Sequence, residues 1–417
     1  MTDADVVLVT NSPGELCSWV RVTADRLKKY SRDLRVIVML VPCPYATGKE
    51  AEIARSFPSV DLVTTPRDFL RLMFGLSIKA YKPRPNGMVV FLGGDFWHAG
   101  LAARRLGFPT IAYAVRPAPA LKRFSCICLP RESMKDEFIS TGIDENKIQV
   151  IGNLMVEGVV PESDRVKLRK ALGISESALV VGILPGSRLY HVRVSLPVYL
   201  RVAQEIADRM PDVRFLVGLS PFISVGEMES CLDQGTEIQL GGIGGKLMED
   251  SGGKFIQTLR GLRLGLLVDR QYDLMQVSDL VMTIPGTNTA ELASLGIPMV
   301  VSYSWNVKIP GGGLGMFLGG LPPGNTLRKI VLSRIMRKLK FTALPNQIAG
   351  KMIVPEIRVD YCGSEITSTI IELLEDSEQR NRISNELRRI VGKTGAADRL
   401  AYIVINEIEK QNGKGTV

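Results

Sequence analysis

Short runs of aliphatic and β-branched residues alternate with segments of helical periodicity along most of the chain. In the first 160 residues these runs are short enough to be single buried strands. We predict strands at 6–10, 34–40, 88–92, 110–114, 126–129 and 148–151. Amphipathic helices are predicted between several of them, for example at 19–30 and 134–141. Such alternation is typical of a parallel, doubly wound α/β sheet.

A second alternation of the same kind follows a polar, charged stretch near 161–173. Its predicted strands and helices lie at 179–184, 195–210, 213–217, 263–268, 272–277, 280–283 and 299–303, with one more helix from residue 288. The polar, glycine-rich stretch 224–258 fits neither period and receives no assignment.

A chain of 417 residues exceeds one ordinary core and suits two domains of common size. We therefore predict a Rossmann-like N-terminal domain at 1–165 and a second one at 166–375. The last helical pattern, about 378–410, predicts a C-terminal helix within 376–412 that returns to the first domain.

Hydrophobic residues make up 45% and charged residues 23% of the chain, which is an ordinary globular composition. No run of 18 apolar residues occurs, so we expect no membrane-spanning helix. The N-terminus lacks the charged region and the long apolar core of a signal peptide. We predict a cytoplasmic protein that is peripheral on the inner face of the membrane.

The net charge of +9 fits an anionic partner, namely nucleic acid, a membrane surface or a phosphorylated substrate. The chain carries no aromatic-basic motif of an RNA-binding module, so we expect no nucleic-acid partner. The only two histidines, His98 and His191, are too few for a histidine-rich zinc site, and the six cysteines form no CxxC pair. We therefore expect no metal cofactor.

Two stretches combine bulky apolar residues with basic ones, at 69–79 and at 314–321 followed by 327–340. The segment 327–340 carries six basic side chains and no acidic one. A helix of this kind binds an anionic bilayer surface. A core helix with a solvated cationic face is the alternative interpretation, and the sequence leaves both open.

Two glycine turns are the most informative local feature. They are Leu184-Pro185-Gly186-Ser187-Arg188 and Pro285-Gly286-Thr287-Asn288-Thr289-Ala290-Glu291, and each lies between a predicted strand and a predicted helix. In a parallel α/β sheet such turns bind anions, because free backbone N–H groups and the positive helix end point outward there. Two of them predict a bound nucleotide diphosphate, with plain strand-to-helix turns as the alternative. The loop after the first strand lacks GxGxxG, which argues against a dinucleotide site.

Four motifs resemble, in order, those of lipid-A-disaccharide synthases, which are two-domain glycosyltransferases of the GT-B type. They are Phe91-Leu92-Gly93-Gly94-Asp95-Phe96, Leu184-Pro185-Gly186-Ser187-Arg188, the segment 285–291 with 297–301, and Leu344-Pro345-Asn346-Gln347-Ile348-Ala349-Gly350 with Val354-Pro355-Glu356. The last pair is similar to the family's SLPN…AG…PE signature and is the most discriminating. The resemblance extends from the first strand to about residue 360.

Four places depart from the family's pattern, and one of them is the loop around 310–325, which is longer and richer in glycine. The loop Asn11-Ser12-Pro13-Gly14-Glu15 keeps only the Gly-Glu pair of GExSGD. His191 lies three residues after Arg188, where the family has a glutamate. The tripeptide Phe96-Trp97-His98 replaces the family's alanine-proline-aspartate step. We therefore expect a related member of the family.

The resemblance implies a UDP-sugar donor held by the second domain. The implied donor-site residues are Ser187, Arg188, Gly286, Thr287, Asn288, Glu291, Asn346 and Gln347. Arg188 would pair with the diphosphate, because its planar guanidinium matches phosphate oxygens, and Glu291 would bind the ribose hydroxyls. From the residues alone, Asn288 and Glu291 also fit a capping box, and Arg188 fits an ordinary surface arginine.

Asp95 is the leading candidate for a catalytic base. It follows the strand predicted at 88–92, and sugar transfer needs a base for the proton of the acceptor hydroxyl. Glu15 and His98 are the other candidates. Their alternatives are a helix N-cap for Asp95, a favourable charge in the first helical turn for Glu15 and an exposed ring for His98.

The expected activity is an inverting, metal-independent transfer of an N-acylated or lipid-linked glucosamine unit from UDP to a membrane glycolipid acceptor, as in lipid A biosynthesis. Two alternatives stay open. One is a UDP-sugar epimerase, which would act on a soluble sugar. The other is a non-catalytic UDP-sugar-binding protein or membrane scaffold.

Overall fold

The computed structural model describes residues 3–43, 46–233, 241–303, 340–358, 363–392 and 394–414. The chain divides into two compact units. The first unit comprises Met1–Gly158 together with Gly392–Val417, and the second comprises Val159–Val391.

A seven-stranded parallel sheet forms the centre of the first unit. Its strands are β1 (Asp5–Thr10), β2 (Arg35–Leu40), β3 (Leu62–Thr64), β4 (Gly87–Phe91), β5 (Thr110–Tyr113), β6 (Cys126–Leu129) and β7 (Ile148–Val150). Their order across the sheet is β3-β2-β1-β4-β5-β6-β7. Every residue of β1 and β4 is buried, as expected for strands covered on both faces. The chain direction across the sheet reverses between these two strands, which makes their carboxyl ends the topological switch point.

Seven helices are described in the first unit before residue 159. They are α1 (Pro13–Glu15), α2 (Arg21–Tyr30), α3 (Glu50–Ser56), α4 (Pro66–Met73), α5 (Phe96–Leu106), α6 (Lys135–Ser140) and α7 (Met155–Gly158). A π-helical segment, Leu16–Val20, joins α1 to α2. The short 3₁₀ turns are Pro119–Arg123, Glu132–Met134 and Glu145–Lys147.

The second unit is built on an eight-stranded sheet. Its strands are β8 (Val180–Leu184), β9 (Arg214–Leu219), β10 (Gly245–Asp250), β11 (Gly253–Thr258), β12 (Arg263–Val268), β13 (Leu280–Thr283), β14 (Met299–Tyr303) and β15 (Glu356–Arg358). The order is β10-β11-β12-β9-β8-β13-β14-β15. The six strands from β12 to β15 in this order run parallel, with a switch point between β8 and β13.

The helices described in the second unit flank this sheet in sequence. They are α8 (Arg165–Ala171), α9 (Leu189–Ala207), α10 (Val225–Glu229), α11 (Gln271–Val277), α12 (Thr287–Leu295), α13 (Leu344–Ala349), α14 (Ser364–Glu375) and α15 (Ser377–Val391). The final helix, α16 (Ala396–Lys414), belongs to the first unit.

An antiparallel hairpin occupies part of the stretch that received no assignment from the sequence. β10 and β11 pair antiparallel around a turn at Ser251 and Gly252, and Gly253, the first residue of β11, has a φ of 108° that favours glycine. Asp250 Oδ1 accepts a hydrogen bond from the Gly252 N–H. The residues of β10 are exposed or half-buried, so no buried face marks this strand in the sequence.

The domain boundaries differ from those predicted at 165 and 376. The first boundary lies after Gly158, because residues beyond it are bonded into the second unit. The Glu162 N–H donates to Asp273 Oδ1 at 2.8 Å, and Arg165 Nη2 donates to Asp279 Oδ1 at 2.6 Å. The polar stretch 161–173 therefore contains a docked helix, α8.

The long helix predicted at 378–410 is two helices in different units. Gly392 and Gly395 have φ angles of 87° and 98° and end the helical conformation between α15 and α16. α15 stays in the second unit. Only α16 joins the first, where Asp398 Oδ1 accepts a hydrogen bond from the Tyr30 hydroxyl at 2.6 Å.

The predicted fold class, two doubly wound α/β domains, is confirmed by the two sheets. No helix within the described ranges is long and apolar enough to cross a bilayer.

Candidate active site

The two glycine turns of the second unit lie side by side. They follow β8 and β13, which are neighbours at the switch point of the sheet. The Thr283 hydroxyl donates to the Leu184 carbonyl at 3.3 Å, and the Ile284 side chain packs against Gly186. The structure thus brings together the two segments for which the sequence predicts a diphosphate.

Gly186 allows the first turn to pack closely on α9. Its φ is 116°, and a Cβ there would lie 2.7 Å from Ile284 Cδ1 and 2.9 Å from His191 Cβ. Ser195 fastens the same turn, since its hydroxyl lies 2.7 Å from the Pro185 carbonyl and 2.9 Å from the His191 carbonyl. Ser187 and Arg188 are half-buried at the start of α9.

The second turn is stabilised by hydrogen bonds from side chains in and next to it. The Asn288 amide donates to the Thr283 hydroxyl, and the Thr289 hydroxyl donates to the Gly286 carbonyl at 2.8 Å. The amide nitrogen of Asn288 therefore orients the turn. Gly286 is exposed and Thr287 is half-buried at the first position of α12.

Glu291 is buried within the described part of the second unit, with 7% of its surface exposed. The Tyr272 hydroxyl donates to Glu291 Oε1 at 3.2 Å. Gly286, not Asn288, is the N-cap of α12, so a capping box between Asn288 and Glu291 is not formed. The sequence analysis did not select Tyr272 as a site residue, because a tyrosine in a short helical pattern is typical of the hydrophobic core.

Asn346 has a structural role that differs from the predicted donor contact. The residue is fully buried, and its Nδ2 donates to the Val354 carbonyl and to Glu356 Oε1 at 2.8 and 2.7 Å. Its Oδ1 accepts from the N–H groups of Ile353 and Val354. The LPN and PE elements of the signature therefore form one internal hydrogen-bond network.

Gln347 is exposed, and its Nε2 donates to the carbonyls of Phe341 and Thr342 at 3.1 and 3.2 Å. These bonds hold the start of α13. Both amides of the Asn-Gln pair thus bond to groups outside the two glycine turns.

Replacement of Asn346 by alanine is expected to lower the free energy of unfolding by about 3 kcal/mol or more, because several buried polar groups lose their partners. The exposed neighbour provides a matched control, since Gln347→Ala removes only two solvent-accessible hydrogen bonds and should lower stability by about 1 kcal/mol or less. Urea denaturation followed by circular dichroism measures both. If Asn346→Ala keeps the stability of the parent but loses UDP affinity, Asn346 contacts the donor as first predicted.

In the first unit, two glycines let the segment after β4 pack closely on the end of β1 and the loop after it. A Cβ on Gly93 would lie 3.0 Å from Glu15 Cγ and 3.1 Å from the Thr10 hydroxyl oxygen. Gly94 has a φ of 91° and packs against the side chain of Asn11. The end of β4 therefore meets the loop after β1 at the switch point of this sheet.

Asp95 occupies the N-cap position of α5 without making a capping bond from its side chain. Its carboxylate is half-buried and has no hydrogen bond or ion pair to any residue in the described ranges. Asp95 is therefore at the N-cap position, as the alternative interpretation predicts, but its side chain does not cap the helix. A carboxylate that no neighbouring group uses is chemically suited to accept a proton from a ligand.

His98 lies in the interior. Only 4% of it is exposed, and its ring meets Phe69 of α4 edge-on at 5.1 Å between centroids. Burial lowers the pKa of His98, against the opposing effect of the nearby Asp95 carboxylate. The interpretation of His98 as an exposed ring is wrong, and its packing inside the α4–α5 contact argues against direct contact with a substrate.

The sequence stretch 69–79 forms an exposed apolar surface on α4 and the turn after it. Leu70, Phe74 and Leu76 are 46%, 78% and 53% exposed, and Trp97 of α5 is 51% exposed. The same segments carry exposed or half-buried basic residues, namely Arg67, Arg71, Lys79, Arg104 and Arg105. We call this the α4–α5 surface. The second basic-apolar stretch, 314–321 and 327–339, and the loop near 310–325 lie outside the described residues.

A search for clusters of three or more His, Cys, Asp or Glu side chains that could hold a metal ion finds none within the described part of the chain.

Comparison with known proteins finds lipid-A-disaccharide synthases by sequence and UDP-GlcNAc 2-epimerases by fold. No protein-family model matches it. A lipid-A-disaccharide synthase of Geobacter sulfurreducens is 26% identical over 268 residues, which are 63% of this chain and 58% of that relative. Another, of Nitrosococcus oceani, is 27% identical over 270 residues, 64% of this chain and 58% of the relative. The chain thus spans less than two thirds of the length of these relatives.

Solved structures match over nearly the whole chain. The UDP-GlcNAc 2-epimerase of Neisseria meningitidis, bound to UDP-GlcNAc, matches with a TM-score of 0.56 and 15% sequence identity. The match covers 97% of this chain and 100% of the epimerase chain. The epimerase of Methanocaldococcus jannaschii has a TM-score of 0.54 and 13% identity, with 96% and 99% covered. At these identities the likeness concerns the fold. The GT-B-type fold and the resemblance to lipid-A-disaccharide synthases are confirmed.

Proposed function

We propose that this chain is a glycosyltransferase that moves a glucosamine-type sugar from a UDP donor to a membrane glycolipid, by chemistry similar to that of lipid-A-disaccharide synthases. The observation that carries the proposal is the coexistence of two features. One is the sequence relationship to these synthases. The other is the pair of fastened glycine turns at the switch point of the second unit.

The donor belongs to the second unit in this proposal. Backbone N–H groups at the starts of α9 and α12, with Ser187 and Thr287, would bind the diphosphate. Arg188 would pair with it and stabilise the charge that develops as UDP leaves. Glu291, held by Tyr272 at 3.2 Å, would accept hydrogen bonds from the ribose hydroxyls.

The acceptor belongs to the first unit. The acceptor oxygen would form its bond to the anomeric carbon while its proton passes to the Asp95 carboxylate. In the same step the bond from the anomeric carbon to the β-phosphate oxygen breaks, and UDP departs with its electron pair. The configuration at the anomeric carbon is inverted. No metal is required, since Arg188 and the backbone N–H groups supply the positive charge.

Incubation of the full chain with a panel of UDP-sugars, with and without glycolipid acceptors in vesicles, tests this proposal. The expected result is a lengthened glycolipid together with free UDP, analysed by mass spectrometry. Formation of an epimeric UDP-sugar without acceptor would favour the epimerase alternative. Tight UDP binding with no product from any pair would favour the non-catalytic alternative.

The proposal includes a cytoplasmic location, peripheral on the inner face of the membrane, through the α4–α5 surface. Phe74, the C-cap residue of α4, follows Leu70 by four positions, so the two side chains lie on one face of the helix end. Three of the four apolar side chains on this surface are more than half exposed. Their basic neighbours supply attraction to anionic headgroups, which is the combination that favours a lipid surface.

Replacement of Leu70 and Phe74 by serine together is expected to lower partitioning to anionic vesicles about tenfold, because apolar area no longer enters the bilayer. Parent binding should also weaken with salt. Vesicle flotation measures both effects. Tyr402→Ser is the matched control, since Tyr402 on α16 is 66% exposed. Equal partitioning of the double variant and the parent would contradict the assignment of this surface.

A further inference from the structure

His191 lies directly on the first glycine turn. A Cβ on Gly186 would be 2.9 Å from His191 Cβ and 3.4 Å from Nδ1, so ring and turn are in contact. The ring also packs against Tyr190, with 4.2 Å between centroids. His191 therefore lies beside the first glycine turn, which contains Gly186, Ser187 and Arg188.

The placement of the ring is fixed by the backbone of α9. The His191 N–H donates to the Arg188 carbonyl at 2.9 Å, and the His191 carbonyl accepts from the Ser195 hydroxyl, which also bonds the Pro185 carbonyl. The imidazole itself makes no hydrogen bond to any residue whose placement is described. Its hydrogen-bonding capacity is thus not used to hold the turn.

The ring is uncharged near neutral pH. Burial and, secondarily, the Arg188 guanidinium lower the pKa of His191 to about 4. A neutral imidazole carries one N–H donor and one acceptor nitrogen. A carboxylate at this position, as in the family's pattern, would carry a negative charge and no donor.

We propose that the His191 imidazole is a donor-site contact that hydrogen-bonds the diphosphate end of the sugar nucleotide, and that it makes this turn more favourable for anions than a turn with glutamate. The inference rests on the proposed function, because it takes the two glycine turns as the diphosphate site. Arg188 supplies charge, and His191 supplies a neutral donor beside it. Their combination selects ligands by the number of phosphate charges.

The test compares three nucleotides of increasing charge, namely uridine, UMP and UDP, by titration calorimetry of the full chain. His191→Glu introduces a negative charge at nearly the same place, and His191→Gln keeps a neutral N–H donor. We expect His191→Glu to weaken UDP binding at least about tenfold, UMP binding less, and uridine binding little, because like-charge repulsion grows with phosphate charge. His191→Gln should stay within about threefold for all three ligands.

The outcomes separate this inference from the proposed function. If the parent does not bind UDP, the donor site itself is wrong and the inference falls with it. If the parent binds UDP but His191→Glu weakens all three ligands equally, only the role of His191 is overturned. Thermal melting shows whether the variants fold. Should the glutamate variant not fold, His191→Leu serves instead, with UDP binding expected to weaken severalfold and uridine binding to persist; unchanged UDP binding would overturn the inference.

Discussion

Replacement of Asp95 by asparagine is expected to lower the turnover of sugar transfer by about a hundredfold or more, the scale of a lost general base. Asparagine preserves the shape of the side chain but cannot accept the proton of the acceptor hydroxyl. UDP affinity should be unchanged, because the donor turns belong to the second unit. Single-turnover rates and UDP titration measure the two quantities.

The same substitution should leave the fold intact, because the Asp95 side chain makes no capping bond to α5. The melting temperature of the variant is the control. Glu15→Gln provides a second variant, since Glu15 packs against Gly93, two residues before Asp95. Near-normal turnover of Asp95→Asn with a large loss in Glu15→Gln would move the role of base to Glu15.

Arg188→Ala is expected to weaken UDP binding about thirtyfold, which corresponds to about 2 kcal/mol for a lost charge-assisted hydrogen bond. Arg193→Ala is the matched control. Arg193 lies in α9, is exposed, and is five positions after Arg188, the N-cap residue of that helix. Its removal should change UDP affinity by less than about twofold.

The melting temperature distinguishes a ligand contact from a structural one. A large fall in the melting temperature of Arg188→Ala, with UDP affinity preserved, would mean that Arg188 serves only the fold. The same loss of affinity in Arg188→Ala and Arg193→Ala would point to a general effect of net charge.

Hydrophobic patterning located the elements that carry the site. The predictions at 263–268, 280–283 and 299–303 coincide with β12, β13 and β14. Buried parallel strands are uniformly apolar and end at glycine turns, so their carboxyl ends can be identified without tertiary information. That is why the two glycine turns could be identified from the sequence before their contact was known.

The roles of individual polar side chains were less predictable, because they depend on contacts between distant segments. The motif around Asn346 predicts an amide that binds a ligand. In the structure this amide donates its hydrogen bonds to the Val354 carbonyl and the Glu356 carboxylate instead. The pattern around Tyr272 predicts a residue of the hydrophobic core, but its hydroxyl donates a hydrogen bond to Glu291, which lies on another helix. Neither partner is visible in local sequence.

The hairpin β10–β11 and the split of the last helix were missed for a different reason. β10 has no buried face to mark it. The break between α15 and α16 depends on the backbone conformations of Gly392 and Gly395, which a helical hydrophobic period does not register.

The most direct test of the central claim follows isotope-labelled sugar from a UDP-sugar into lipid, with the full chain and glycolipid vesicles. The account predicts one labelled sugar in the lipid product for each UDP released, and almost none with Asp95→Asn. Release of UDP without labelled lipid for every acceptor, or label found only in an epimerised nucleotide, would contradict sugar transfer as the function of this chain.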